Sequence, residues 1–362
     1  MATSSLRLPR RGFYPNGLPA CPCRTTSAPV RELLFSLAGT SGRRVRHRRD
    51  GLVPFPGPAG VAVRPLPARR QSPTAGVAPT EVAQAKKEMR FAVNETAVKA
   101  VLTTLMPFWH ADEIRRIEYL PGGYTNRNYR VEVQGCAYAL RLVEGSAPRP
   151  HERRYLDIDS APDVVAYDAA HGHLLTRWID GPLLATSPPE PDEAGVYLAA
   201  LHASIPTGVR RYDFTQEILR MFGKARRVEP AIRDCFERIA WRPTTWRGCH
   251  NDLNPWNIIR LEDPPSFRTL DWESAGDNDP LFDLVGLCVG LGWGIREAAA
   301  SHAAYHRDVA GVQATEARLA DTFRAFLIRE YAWAAAQLAI GNEREEVGNQ
   351  VETSRRALAD WG

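Results

Sequence analysis

The sequence predicts an α+β chain folded as two lobes, a small β-rich one followed by a larger helical one. Three observations carry that expectation. Between Ile114 and Val143, three short segments alternate apolar and polar residues across turn-forming breaks, the pattern of a β-meander. After Ile179-Asp180-Gly181-Pro182 the apolar spacing changes to the period of helices and keeps it almost to the C-terminus. One polar-rich stretch interrupts those helices: His250-Asn251-Asp252-Leu253-Asn254-Pro255-Trp256-Asn257. Ile258-Ile259 follow it and, fourteen residues after Asn257, so does Asp271.

The elements follow in order. Residues 1–88 hold twelve of the 28 prolines and runs such as Arg43-Arg44-Val45-Arg46-His47-Arg48-Arg49, a composition that packs no core and predicts a disordered basic segment. Three readings fit it: a basic nucleic-acid arm, an organellar transit peptide, or translated upstream sequence with the start at Met89. The last is favoured, because ordered patterning begins just after Met89. The small lobe is placed at 89–178. It opens with a helix capped by Asn94, with Ala97, Val98, Val101, Leu102 and Leu105 at helical spacing. Strands follow over 114–120, 128–133 and 138–143, then a short helix near 151–156 and strands over 164–167 and 173–178. Residues 179–182 read as a hinge. The large lobe, 179–362, carries helices over about 192–204, 214–224 and 229–240, a hairpin after Asn257, and helices over about 281–291, 295–309, 314–340 and 343–360.

Composition narrows the partners. The 362 residues are 44% hydrophobic and 24% charged, as in globular proteins. No run of about 18 apolar residues is present, so no membrane partner is expected. The net charge of +4 hides two halves: fifteen Lys/Arg against four Asp/Glu in residues 1–88, and thirty-one against thirty-eight in the remainder. The mildly acidic remainder suits a cationic small molecule and argues against nucleic acid. Of the six cysteines only Cys21 and Cys23 are close, and no second pair completes a zinc site. The others read as reduced core residues, and a cytoplasmic location is expected.

The interrupted stretch reads H-x-D-x-x-x-x-N, then a hairpin, then an apolar-Asp pair. Phosphoryl transfer from ATP needs one carboxylate to accept a hydroxyl proton, and an amide and a second carboxylate to hold magnesium. Order and spacing match the catalytic loop and metal segment of protein-kinase-like enzymes. With His-Asn-Asp and Asp271-Trp272-Glu273, the chain resembles the aminoglycoside phosphotransferase and choline kinase superfamily. The resemblance covers about residues 115–340. It implies a bilobal protein-kinase-like fold, with ATP and Mg as cofactors, Asp252 as catalytic base, and Asn257 and Asp271 as metal ligands. His250 is expected to hold the loop through ring hydrogen bonds.

Gly122-Gly123-Tyr124-Thr125-Asn126 resembles the phosphate-covering loop of choline- and thiamine-kinase-like proteins. Gly122 and Gly123 let backbone amides approach phosphates, and Thr125 and Asn126 shape the loop. Arg141 stands where related kinases keep a phosphate-binding lysine, and a guanidinium can bridge two oxygens. Glu152 is the expected partner of Arg141, with Glu144 second, although only about twenty residues separate Arg141 from Ala161. Asp271-Trp272-Glu273-Ser274-Ala275-Gly276 resembles the corresponding segment of bacterial choline and thiamine kinases. An extra carboxylate at Glu273, reaching the cleft if the segment is extended, would attract a cationic alcohol. Trp293, Tyr331 and Trp333 lie where the family builds its acceptor pocket and would supply aromatic faces to an ammonium. The expected acceptor is choline or a choline-like alcohol, followed by thiamine and an aminoglycoside. A nucleotide-binding pseudoenzyme with a regulatory role is the reading from a different class. The intact Asp252, Asn257 and Asp271 oppose it.

Overall fold

The computed structural model describes residues 94–120, 126–143, 148–263, 265–312, 314–342 and 344–360. The expectations for residues 1–88, for Gly122, Gly123 and Thr125, and for Glu144 lie outside them. Helix α1 (Glu95–Leu105) buries Val98 and Leu102. Strands β1 (Ile114–Leu120), β2 (Asn126–Val133), β3 (Cys136–Val143), β4 (Val164–Asp168) and β5 (His173–Arg177) form one antiparallel sheet in the order β1-β2-β3-β5-β4. On β2, Tyr129, Val131 and Val133 alternate into the core, each fully buried aliphatic side chain contributing about 2 kcal/mol. The Gln134-Gly135 turn closes the β2–β3 hairpin at Val133 and Cys136. The helix expected near 151–156 is a single 3₁₀ turn, Glu152–Arg154.

The large lobe follows. Pro182 and Leu184 run beside strand β7 (Ile258–Glu262), with the Leu184 amide donating to the Ile258 carbonyl and that of Arg260 to the Pro182 carbonyl. Helices α2 (Pro191–Ser204), α3 (Phe214–Lys224), α4 (Pro230–Ile239), α5 (Pro280–Leu291), α6 (Ile295–Asp308), α7 (Glu316–Ala339) and α8 (Glu345–Asp360) stand where the periodicity places them, to within a few residues. Strands β7 and β8 (Pro265–Thr269) form the hairpin after Asn257. A second two-stranded sheet pairs β6 (Arg247–Cys249) with β9 (Gly276–Asn278), which the sequence reading did not anticipate. Three-residue strands are too short to show a period.

Three points bear on the expectations. Cys136 is disulfide-bonded rather than reduced. Cys235, Cys249 and Cys288 are free. Among the described residues, no helix is long and apolar enough to cross a membrane.

Candidate active site

Helix α5 lays out the polar loop. Its N-cap Asp279 and its residues Asp283, Gly286 and Gly290 follow one another at spacings of four, three and four, along one face. Each meets a successive station of the chain. Asp279 caps the helix through the Leu281 amide and accepts from the Thr244 amide and hydroxyl, both at 3.0 Å. Asp283 accepts from the amides of His250 and Asn251, each at 2.7 Å. A Cβ on Gly286 would stand 2.9 Å from the Leu253 carbonyl oxygen, and one on Gly290 would stand 2.3 Å from Pro255 Cδ, so side chains there would lift the loop off the helix.

Asn251 has φ of 65°, a left-handed conformation that asparagine tolerates. Its side chain donates to the Gly276 carbonyl at 3.0 Å and accepts from Asn278 Nδ2 at 2.7 Å, tying the loop to β9. His250 Nε2–H donates to the Leu270 carbonyl at 2.8 Å, and its Nδ1 accepts from the Asp252 amide at 3.3 Å. The imidazole therefore bridges the Asp252 and Asp271 segments and packs edge-on to Trp272. Both ring nitrogens are engaged with backbone.

The structure brings Asp252, Asn257 and Asp271 together. Asn257 Nδ2 donates to the Asp252 carbonyl at 3.1 Å, which leaves the amide oxygen available. The Leu270 amide donates to the Asn257 carbonyl at 2.7 Å, placing Asp271 beside it. Asp271 adopts a left-handed backbone, φ 60° and ψ 63°, and its buried Oδ1 accepts no hydrogen bond. Its carboxyl is pushed up to about 8, first by burial and then by the neighbouring Glu273 carboxylate. A cation would relieve both effects. The Asn257 amide oxygen and the orphaned Asp271 oxygen make a hard, all-oxygen donor set that fits magnesium.

Arg141 reaches this region from β3. Its two terminal nitrogens donate to both Glu152 oxygens at 2.6 Å, and Nη1 lies 3.5 Å from Asp271 Oδ1. Burial opposes the guanidinium charge, but Glu152 outweighs it, and the Arg141 pKa is raised. The 3₁₀ turn thus suffices to carry the partner of Arg141.

Glu273 differs from expectation. Trp272–Ser274 is a 3₁₀ turn rather than an extended segment. The Glu273 carboxylate accepts from Asn126 Nδ2 at 3.2 Å and pairs with Arg149 at 2.5 Å, bridging to the small lobe. The three aromatics do not share one face either. Residues 331 and 333 are about 200° apart around α7. Tyr331 is buried, and its hydroxyl accepts from the Glu229 amide at 3.2 Å beside a cavity of about 420 Å³ that Arg227, Glu229 and Pro230 help to line. Trp293 and Trp333 pack partly buried against the core.

The sequence reading missed Arg329 and Glu330 on α7. Arg329 Nη2 lies 2.7 Å from Asp252 Oδ1. Two charged residues inside the apolar run Phe326 to Ala336 were the available signal. It also missed the buried cluster of His202, Cys249 and Asp283. There His202 Nε2–H donates to Asp283 at 3.0 Å, and its Nδ1 lies 3.1 Å from the Tyr305 hydroxyl. Cys249 Sγ donates to the Asn278 carbonyl. These groups satisfy one another and brace the loop.

A five-stranded antiparallel lobe over a helical lobe, with a helix-backed polar loop beside the β7–β8 hairpin, is a protein-kinase-like architecture. The family described as phosphotransferase enzyme family matches residues 116–321, and the chain belongs to it. Protein LicA of Haemophilus influenzae is 25% identical over an alignment of 188 residues that covers 45% of this chain and 55% of that protein. The match thus spans about half of that relative's length. The choline kinase LicA from Streptococcus pneumoniae superposes with a TM-score of 0.62 at 20% identity, over 74% of this chain and 99% of that one. A LicA in complex with AMP gives 0.61 at 20% identity, over 75% of this chain and all of that one. At these identities the structures bear on the fold.

Proposed function

We propose that this protein transfers the γ-phosphoryl group of ATP to a hydroxyl of a small cationic alcohol, with choline or a choline-like alcohol as acceptor. The observation that carries the reading is the convergence of Asp252, Asn257 and Asp271 on one helix-backed loop and its hairpin. Asp252 accepts the acceptor's hydroxyl proton as the oxygen bonds to the γ-phosphorus and the bond to the β–γ bridging oxygen breaks, releasing ADP. Asn257 and Asp271 would hold magnesium, which would neutralise charge on the phosphates. Arg141, fixed by Glu152, adds a positive group beside Asp271. His250 and Asp283 hold the loop so that little reorganisation accompanies transfer.

The family match, the choline kinase named among its structural neighbours and the Asp-Trp-Glu segment support this acceptor class. Glu273 already pairs with Arg149 and Asn126. The test is ATP consumption by the full chain against choline, ethanolamine, thiamine and kanamycin, with and without magnesium. Magnesium-dependent turnover with choline or ethanolamine is the expected result. Turnover with kanamycin alone would move the acceptor to an aminoglycoside, and none with any alcohol would leave the pseudoenzyme.

A further inference from the structure

Arg329 is only 8% exposed, on the buried face of α7. Its Nη2 holds Asp252 Oδ1 at 2.7 Å, and its Nη1 donates to Glu330. Glu330 is held in turn by Gln350 of α8 at 2.9 Å. The ring of Phe326 lies under the guanidinium at 5.7 Å. Tyr212, also buried, lies beside Arg329 and Asp252.

Burying such an ion pair costs desolvation, and well-packed apolar residues of similar volume often give equal or greater stability. Stability alone is therefore a weak account of it. Asp252 itself remains one-quarter exposed, and among the described residues its carboxylate meets no partner besides Arg329. The backbone of the loop is fixed separately by Asp283, Gly286 and Gly290. The contact with Arg329 thus acts on the side chain and not on the path of the chain.

We propose that Arg329 is a positioning residue for Asp252: it holds one carboxylate oxygen and turns the other toward the acceptor hydroxyl. Glu330 and Gln350 fix the guanidinium for that task. The assignment rests on the phosphotransferase reading. It goes beyond that reading by naming what aims the base.

The experiment compares the full-length wild type with Arg329→Ala and Arg329→Gln. It measures kcat, both KM values, nucleotide affinity by calorimetry and Tm. Arg329→Ala is expected to lose roughly a hundredfold in kcat, the scale of a misplaced reacting group, with nucleotide affinity unchanged. Guanidinium chloride at about 20 mM, far below denaturing concentrations, should restore part of kcat where sodium chloride does not. Arg329→Gln, shorter and uncharged but still polar, should show the same loss of kcat with a smaller fall in Tm than the alanine variant, which decides the matter if the alanine variant does not fold.

Undiminished kcat in either folded variant overturns the proposal. So does a loss in which kcat, nucleotide affinity and Tm fall together without rescue, since that marks a merely structural role. Wild type inactive with every alcohol sinks the phosphotransferase reading and this assignment with it. An active wild type matched by its variants sinks the assignment alone.

Discussion

Arg141 and Arg329 approach the cleft from different lobes, and each stands between a glutamate and a carboxylate of the site. They divide their hydrogen bonds differently. Arg141 gives both terminal nitrogens to Glu152 and stays 3.5 Å from Asp271. Arg329 gives one to Glu330 and the other to Asp252 at 2.7 Å. The consequence shows in the carboxylates. Asp271 keeps an oxygen with no hydrogen bond and is pushed up to about 8. Asp252 has its counter-ion built in. One side of the cleft is short of positive charge, as a metal site should be, while the other is compensated from within. A guanidinium reserved by its own glutamate leaves room for an external cation; a shared guanidinium fills that place itself.

The largest effect is expected at the compensated side. Asp252→Asn keeps the shape of the side chain but removes the base, and turnover should fall about a hundredfold or more while nucleotide affinity stays. Near-normal kcat would show that the loop aims another group. At the other side, Glu152→Gln leaves a buried guanidinium with the Gly172 carbonyl and the more distant Asp271, and should cost about 3 kcal/mol of stability. A denaturant titration showing no loss would mean that Asp271 has taken over as partner.

Asp283→Asn probes what both sides share. It should cost about 2 kcal/mol, because Asp283 accepts two loop amides and the His202 ring N–H. The Asp283 carboxyl titrates below its ordinary range, since its hydrogen bonds and the charge of His202 outweigh burial. The folded state therefore binds fewer protons than the unfolded one between the two values. The stability is full above the ordinary carboxyl pKa of about 3.9 and is lost as pH falls through the lowered one. Unfolding curves from pH 6 down to about 2 should slope less in the variant over that window. An equal slope would assign the acid sensitivity to other carboxyls.

The smallest effect is expected at Glu273→Gln, about 1 kcal/mol, because the Glu273 side chain is 23% exposed and the amide can still meet its partners. The acceptor KM should stay within about twofold, since the carboxylate already has its partners. A large rise would return Glu273 to the acceptor.

The two sides also differ in how legible they were. Strands, helices and the set His250, Asp252, Asn257 and Asp271 stand in the sequence because period and spacing are local properties. The Arg141–Glu152 pair was legible for a related reason, eleven residues of separation on adjoining elements. The Arg329–Asp252 pair is 77 residues apart in the chain, and no local pattern joins residues that only helix packing brings together. The aromatics failed on helix geometry: Tyr331 and Trp333 differ by two positions and cannot look the same way. Glu273 was expected on an extended run; it stands on a 3₁₀ turn instead, with its carboxylate held by Asn126 and Arg149.

The matched stations on α5 also bear on how this molecule comes apart. From Thr244 to Pro255 the loop touches Asp279, Asp283, Gly286 and Gly290 in the order of the helix. No one station can be released while its neighbours keep their places. Loops usually exchange their amide hydrogens by small local openings, at free energies far below that of global unfolding. Here the amides of His250 and Asn251 end on a carboxylate in the buried heart of the helical lobe, so they should exchange with deuterium as slowly as the interior of α5. The segment that carries the chemistry would then belong to the last part of the protein to open.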